Sequence, residues 1–208
     1  MDASVREQIL TLLSSTGREG IDQMIGWLDN EGFFTSPAST RFHGAHEGGL
    51  AEHSLGVYKL LTQYAAKFPL TPNFGAIVLP VVENNLIIAA LLHDLCKVGA
   101  YIPQTGKASP YQWNRAQPGG HALLSLVRIA KHIKMEQIEE LMIMFHMGVY
   151  GSIEFNAGSK YNKGEYSLTG VPGAEKDDRY GKSLRNAWYH NVIVKLMYFC
   201  DEFETMGS

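Results

Sequence analysis

Apolar residues recur at helical spacing over residues 3–15 and 20–30, the second run closing near Gly32. Neither run contains a cluster of titratable groups, so both are read as packing helices. Gly48 and Gly49 open a third helix that continues to about Phe68, where Pro69 and Pro72 end it; Leu50, Leu55, Val57, Leu60 and Leu61 form its buried side. A fourth helix starts at Pro80, and its run LIIAALLHDL is apolar on every face. That is the pattern of a central helix enclosed by others, with His93 and Asp94 at its C-terminal end. From Gly99 to Gly120 the periodicity breaks: two Tyr, a Trp and Gly106 predict a short hairpin lying over the surface. A fifth helix runs from His121 to about His132, and MEQIEELMIMFHMG forms a sixth that ends at Gly148. Residues 149–183 are rich in Gly, Lys, Tyr and Ser without a period, which predicts a long loop suited to a lid or a recognition segment. It carries Lys160, Lys163 and Lys182, and a last helix follows over about 184–205. The predicted class is all-α, a bundle of about six to eight helices with a short hairpin and one long loop.

Composition adds limits. The chain has 208 residues with 45% hydrophobic content, enough for one substantial core, and no linker or shift in composition divides it. A single domain is expected over 1–208, with no internal repeat and no low-complexity tract. A formal charge of -3 and a pI near 6.2 argue against a large basic surface for long duplex DNA. The N-terminus reads as an amphipathic helix rather than a signal sequence, and no apolar run is long enough to span a bilayer. No membrane partner and a cytoplasmic location are expected. Cys96 and Cys200 are far apart, form no CxxC and sit in apolar helices, so they are read as reduced core thiols.

The chemistry lies in a set of side chains in fixed order: His53, the adjacent pair His93-Asp94, His121, His146 and Asp201. Each sits in or at the edge of an apolar helix, where titratable groups are expensive unless paired or bound to a metal. Helix neighbours point about 100° apart, so His93 and Asp94 converge on one ion only if it lies beside the helix between them. A structural His-Asp hydrogen bond would leave the other carboxylate lone pairs without donors among leucines. Two imidazoles and two carboxylates from separate helices suit a divalent transition ion of intermediate softness. His121 and His146 either complete a second metal site or bind substrate phosphate. His43 and His46 precede the glycine pair in a loop, His132 falls beside lysines, and His190 in WYHN lies eleven residues before Asp201, too far along the helix for a shared ion.

The order His53, His93-Asp94, Asp201 resembles the HD-domain superfamily of metal-dependent phosphohydrolases, whose pattern is H...HD...D on a helical bundle. The strings GGLAEHSLGV and AALLHDLCKVG resemble the helices of the first His and of the His-Asp pair. PGGHALLS and IMFHMG resemble the places where dinuclear members supply two more histidines, and VKLMYFCDEFE resembles the helix of the last Asp. The resemblance covers about residues 41–204, which makes 41–204 the expected metal-site core and 1–40 a pair of packing helices. The branch it most resembles includes the HD domain of bacterial 3′-to-5′ exoribonucleases. The chain departs from the family at Cys96, where HDxGK has glycine, and at His146-Met147, where dinuclear branches show HH. The OB module of the exoribonucleases is missing, so a nucleotide or short single-stranded oligonucleotide is expected rather than a long polymer.

The resemblance implies one or two divalent ions (Mn, Fe, Co, Ni or Zn) held by His53, His93, Asp94, His121, His146 and Asp201. Catalytic roles fall to Asp94 and Lys97, and substrate contacts to Lys97, Arg41 and Arg128. Lys97, three residues beyond Asp94, can reach over the same opening. Two alternatives use the same fold: a di-iron oxygenase with a similar ligand set, and a non-catalytic module that binds a nucleotide or a protein.

Overall fold

The structure is a computed structural model that describes residues 4–67, 81–117, 120–148, 187–188 and 192–207. Among these residues the protein is helical, with one two-stranded sheet. The helices are α1 (Val5–Ser15), α2 (Ile21–Asn30), α3 (Gly49–Ala65), α4 (Glu83–Leu92), α5 (His121–Ala130), α6 (Gln137–Phe145) and α7 (Val192–Gly207). The predicted loop over 149–183 and His190 lie outside the described residues. No helix among the described residues is long and apolar enough to cross a membrane.

The central position expected for LIIAALLHDL belongs to α4, where every residue from Asn85 to Leu92 is buried. It packs against α3 and α6, and α7 closes the bundle against the same two helices. The core runs from Ile9 and Leu13 of α1 through Leu50, Leu61, Ile88 and Leu91 to Val194 and Met197 of α7. A helix that is apolar all round has no surface left for water, so enclosure on every side is its stable arrangement.

Local signals set the ends. Ser4 Oγ accepts the Glu7 N–H while the Glu7 carboxylate accepts from Ser4 N, a capping box that starts α1. Gly48, at φ 84, caps α3 in a left-handed conformation open chiefly to glycine. The next residue, Gly49, lies against the Gly44 carbonyl so closely that a Cβ would collide with backbone, which folds the 36–48 loop down onto the start of α3.

Two expectations shift. The fourth helix begins at Glu83 and stops at Leu92, short of the His-Asp pair. His93 caps it, Asp94 takes φ -105 and ψ 21, and Leu95–Lys97 form a 3₁₀ turn. The carbonyls freed there find donors: Arg128 Nη1 donates to Leu95 O and to Val98 O (3.0 Å), and Gln117 Nε2 to Cys96 O (3.1 Å). The hairpin is shorter than the 99–120 stretch, pairing Tyr101–Pro103 (β1) with Tyr111–Trp113 (β2) in antiparallel register, Tyr101 opposite Trp113. Ser109 Oγ fastens its turn to Thr40 O at 2.7 Å.

The N-terminal helices do more than pack. Arg18, between α1 and α2, donates from two nitrogens to the two oxygens of Glu139 at 3.0 and 2.6 Å. Glu139 is fully buried, and Asn85 Nδ2 also donates to it at 3.0 Å.

Candidate metal centre

Six side chains from five places in the bundle meet at one point. His53 comes from the first turns of α3, His93 and Asp94 from the break after α4, His121 from the first residue of α5, His146 from the cap of α6 and Asp201 from α7. They form two groups, each able to hold a metal ion: His53, His93, Asp94 and Asp201, then Asp94, His121 and His146. Asp94 belongs to both. Its Oδ2 lies 3.5 Å from His53 Nε2 and 3.4 Å from His93 Nε2, while its Oδ1 lies 2.8 Å from His121 Nε2 and 3.6 Å from His146 Nε2. Asp201 Oδ1 completes the first group at 3.1 Å from His53 Nε2 and 3.4 Å from His93 Nε2. His93 keeps helical dihedrals at the cap of α4 and Asp94 opens the 3₁₀ turn, and both side chains face the same point.

Each imidazole is aimed by a partner behind it. His93 Nδ1 donates to Ala90 O at 2.9 Å and His146 Nδ1 to Ile143 O at 2.5 Å. A carbonyl can only accept, so the neutral rings carry hydrogen on Nδ1 and present a bare Nε2 to the centre. His53 Nδ1 meets the Glu204 carboxylate, and His121 Nδ1 lies 3.1 Å from Cys96 Sγ.

Burial and charge work against each other here. Burial disfavours ionised Asp94, but Lys97, His93 and His121 hold it well below the usual carboxylate range. Asp201 is likewise held down, against its burial, by His53 and His93. Burial opposes a charged His53, yet Asp201, Asp94 and Glu204 together push it up to about 10. For His146 burial prevails and the imidazole falls below its ordinary value, hence neutral at physiological pH. Its Nε2 is buried with no hydrogen-bond partner, although it points at Asp94. A neutral, orphaned nitrogen beside a carboxylate is a costly arrangement that a divalent cation relieves, so the donor set fits a metal on its own terms.

Of the residues expected to contact substrate, Lys97 joins the centre, with Nζ 2.6 Å from Asp94 Oδ2. Burial lowers the affinity of Lys97 for its proton, but Asp94 raises it further, and the side chain stays an ammonium. Arg41 is exposed, its guanidinium 4.7 Å over the Phe42 ring. Arg128, expected to contact substrate, donates to the carbonyls of Leu95 and Val98 in the turn after Asp94, and burial lowers its pKa. Its contribution is to the position of Asp94 and Lys97. The two thiols are free and buried, as expected, but Cys96 also supports His121. Sequence reasoning missed Glu204, Cys96 as a support and His43, whose ring lies 5.2 Å from that of His53. The three-residue spacing of Asp201 and Glu204, one helix face, was the available signal.

The HD domain family model matches residues 50–146, from the start of α3 to the histidine at the end of α6. The matched segment spans 97 of the 208 residues, and Asp201 lies beyond it. No curated protein and no solved structure matches the chain.

Proposed function

We propose that the protein is a metal-dependent phosphohydrolase that acts on a phosphate ester, with a nucleotide or short oligonucleotide as its substrate. The observation that carries this reading is the single carboxylate of Asp94, whose two oxygens face two separate ligand groups. On this reading His53, His93, Asp94 and Asp201 hold one divalent ion, and Asp94 with His121 and His146 holds a second. Bound there, such ions supply Lewis acidity toward a phosphoryl oxygen and acidify water. The chain's own side chains do the rest. Asp94 fixes the spacing of the two groups, with Oδ2 toward the first and Oδ1 toward the second. The Lys97 ammonium, on a flexible stem beside that oxygen, can turn to offset charge developing on the equatorial phosphoryl oxygens. Arg41, exposed beside Phe42, can meet an anionic substrate as it arrives. The similarity of GGLAEHS and PGGHALLS to exoribonuclease HD domains favours nucleotides among phosphate esters.

The test combines metal analysis with phosphate release from phosphomonoesters, cyclic dinucleotides and short RNA. Wild type should retain about two transition ions per chain and release phosphate. Asp94→Ala should lose both, and His146→Ala should lose about one ion. Full metal content and turnover in Asp94→Ala would disprove the centre. Iron retention with dioxygen consumption and no phosphate release would favour the oxygenase chemistry that such a ligand set also permits.

A further inference from the structure

Helix α7 is buried on one side only. Ile193, Val194, Met197 and Cys200 belong to the core, and Asp201 points from that side into the candidate metal centre. On the opposite side Val192, Phe199, Phe203 and Met206 are exposed, the last two by 57% and 75%. Steps of seven, four and three residues set these four along one line of the helix, which runs for about four turns or roughly 21 Å. The Phe199 and Phe203 rings lie 6.5 Å apart, so the line is a continuous ridge. Apolar residues exposed one at a time are ordinary, whereas a row of them along one helix face marks a surface that another molecule covers.

The charges beside the ridge say what that molecule is. Lys195 and Glu202 are seven residues apart and therefore lie on the same edge of the ridge. Among the described residues neither takes part in an ion pair; the Lys195 ammonium rests 5.7 Å over the Phe199 ring. When two copies of a helix pair antiparallel about a twofold axis, each edge meets the same edge of the other copy with the chain direction reversed. Phe199 is next to the midpoint of 195 and 202. With the axis there, Lys195 of each copy faces Glu202 of the other, and the ion pair forms twice. A parallel pairing would bring opposite edges together, and the opposite edge, which carries Leu196, offers Lys195 no carboxylate. The ridge is thus complementary to itself in one orientation.

We propose that the exposed face of α7 is a dimerisation surface, on which a second copy of this chain docks its own α7 antiparallel. An interface built on one helix is small, on the order of 1,000 Å² in total, so the dimer forms in the micromolar range rather than permanently. It uses the side of α7 turned away from Asp201, so the candidate ligands keep their places.

Sedimentation equilibrium of the full chain from about 1 to 200 µM reads the association directly, and wild type should pass from monomer to dimer across that range. Phe203→Glu sets a carboxylate into the apolar ridge and should raise Kd by about 30-fold or more. Lys195→Glu would face Glu202 with like charge and should raise Kd by about tenfold. Combined with Glu202→Lys it restores the attraction in reverse, and Kd should return to within about threefold of wild type. Thermal melts check that each variant is folded; if Phe203→Glu melts early, Met206→Lys, at the most exposed position of the ridge, takes its place. A wild type that stays monomeric throughout overturns the proposal, since something within the chain then covers the ridge. So does a dimer indifferent to the ridge variants, or a charge exchange that leaves Kd as high as Lys195→Glu alone.

Discussion

A histidine can serve a metal only if the nitrogen facing it is free and stays put, so the residues behind the ligands matter as much as the ligands. His93 and His146 obtain this from carbonyls one turn back in their own helices, a device that survives almost any side-chain change. His53 depends instead on Glu204, a side chain from a different helix. Gly56 makes room for it: a Cβ there would stand 2.7 Å from Glu204 Cγ. Glu204→Gln keeps the shape but removes the charge that raises the basicity of His53, and should weaken binding of the ion held by His53 by about 10- to 100-fold. Competition with a metallochromic chelator measures this, and an unchanged affinity would show that Glu204 is only a packing contact. The candidate ligands themselves were legible because they put titratable groups in or at the edge of apolar helices. Glu204 was not, since a glutamate near the end of an amphipathic helix is ordinarily solvated, and its partner lies 151 positions away. Its spacing of three from Asp201 puts both on one face of α7, but only the docking of α7 on α3 shows that Glu204 meets His53.

At the level of elements, α4 ends before the His-Asp pair and passes into a 3₁₀ turn. The string LIIAALLHDL gives no hint of it, because a break within an apolar run is set by what receives the freed carbonyls rather than by local propensity. Those receivers, Arg128 and Gln117, are far along the chain, so the string itself carries no sign of them. The same α4 is held from its other end. Asn85 bridges Glu136 and Glu139 at the start of α6, and Arg18 reaches across from the α1–α2 connection to Glu139. Arg18→Ala leaves a fully buried carboxylate without its cation and should destabilise the fold by about 3–5 kcal/mol. Urea unfolding of the metal-free protein is the measurement. The pair Arg18→Met with Glu139→Leu should recover most of the loss, because removing both charges leaves nothing unpaired. If Arg18→Ala unfolds at the same urea concentration as wild type, Glu139 is not relying on its guanidinium.

For the whole molecule, the centre ties folding, metal and pH together. Three helices and two helix ends supply its candidate ligands, so an ion there would link α3 to α7 through residues 148 positions apart in the chain, from His53 to Asp201. Without metal, the same contacts are made by protons. His53 is raised from 6.5 to about 10 by Asp201, Asp94 and Glu204 despite its burial, so its stabilising contribution is complete below about pH 6.5 and disappears as pH rises through about 10. Asp94 and Asp201 have the opposite sign: held below the usual carboxylate range, they stabilise above about pH 4 and lose that contribution as the solution becomes strongly acid. The metal-free protein should therefore have a Tm that falls steadily between pH 7 and pH 9. An ion needs the lone pair that the proton occupies, so its uptake releases protons and its affinity rises with pH, up to about tenfold per unit for each proton displaced. At free metal a thousandfold above Kd, binding adds about 4 kcal/mol to folding stability. The gap in Tm between metal-loaded and chelated protein should thus widen from pH 6.5 to pH 8.5 as the chelated form weakens and the loaded form does not. Scanning calorimetry at constant free metal checks this directly. A gap that narrows with rising pH, or a chelated protein more stable at pH 9 than at pH 7, would mean that protons at His53 are not the counterpart of the ion.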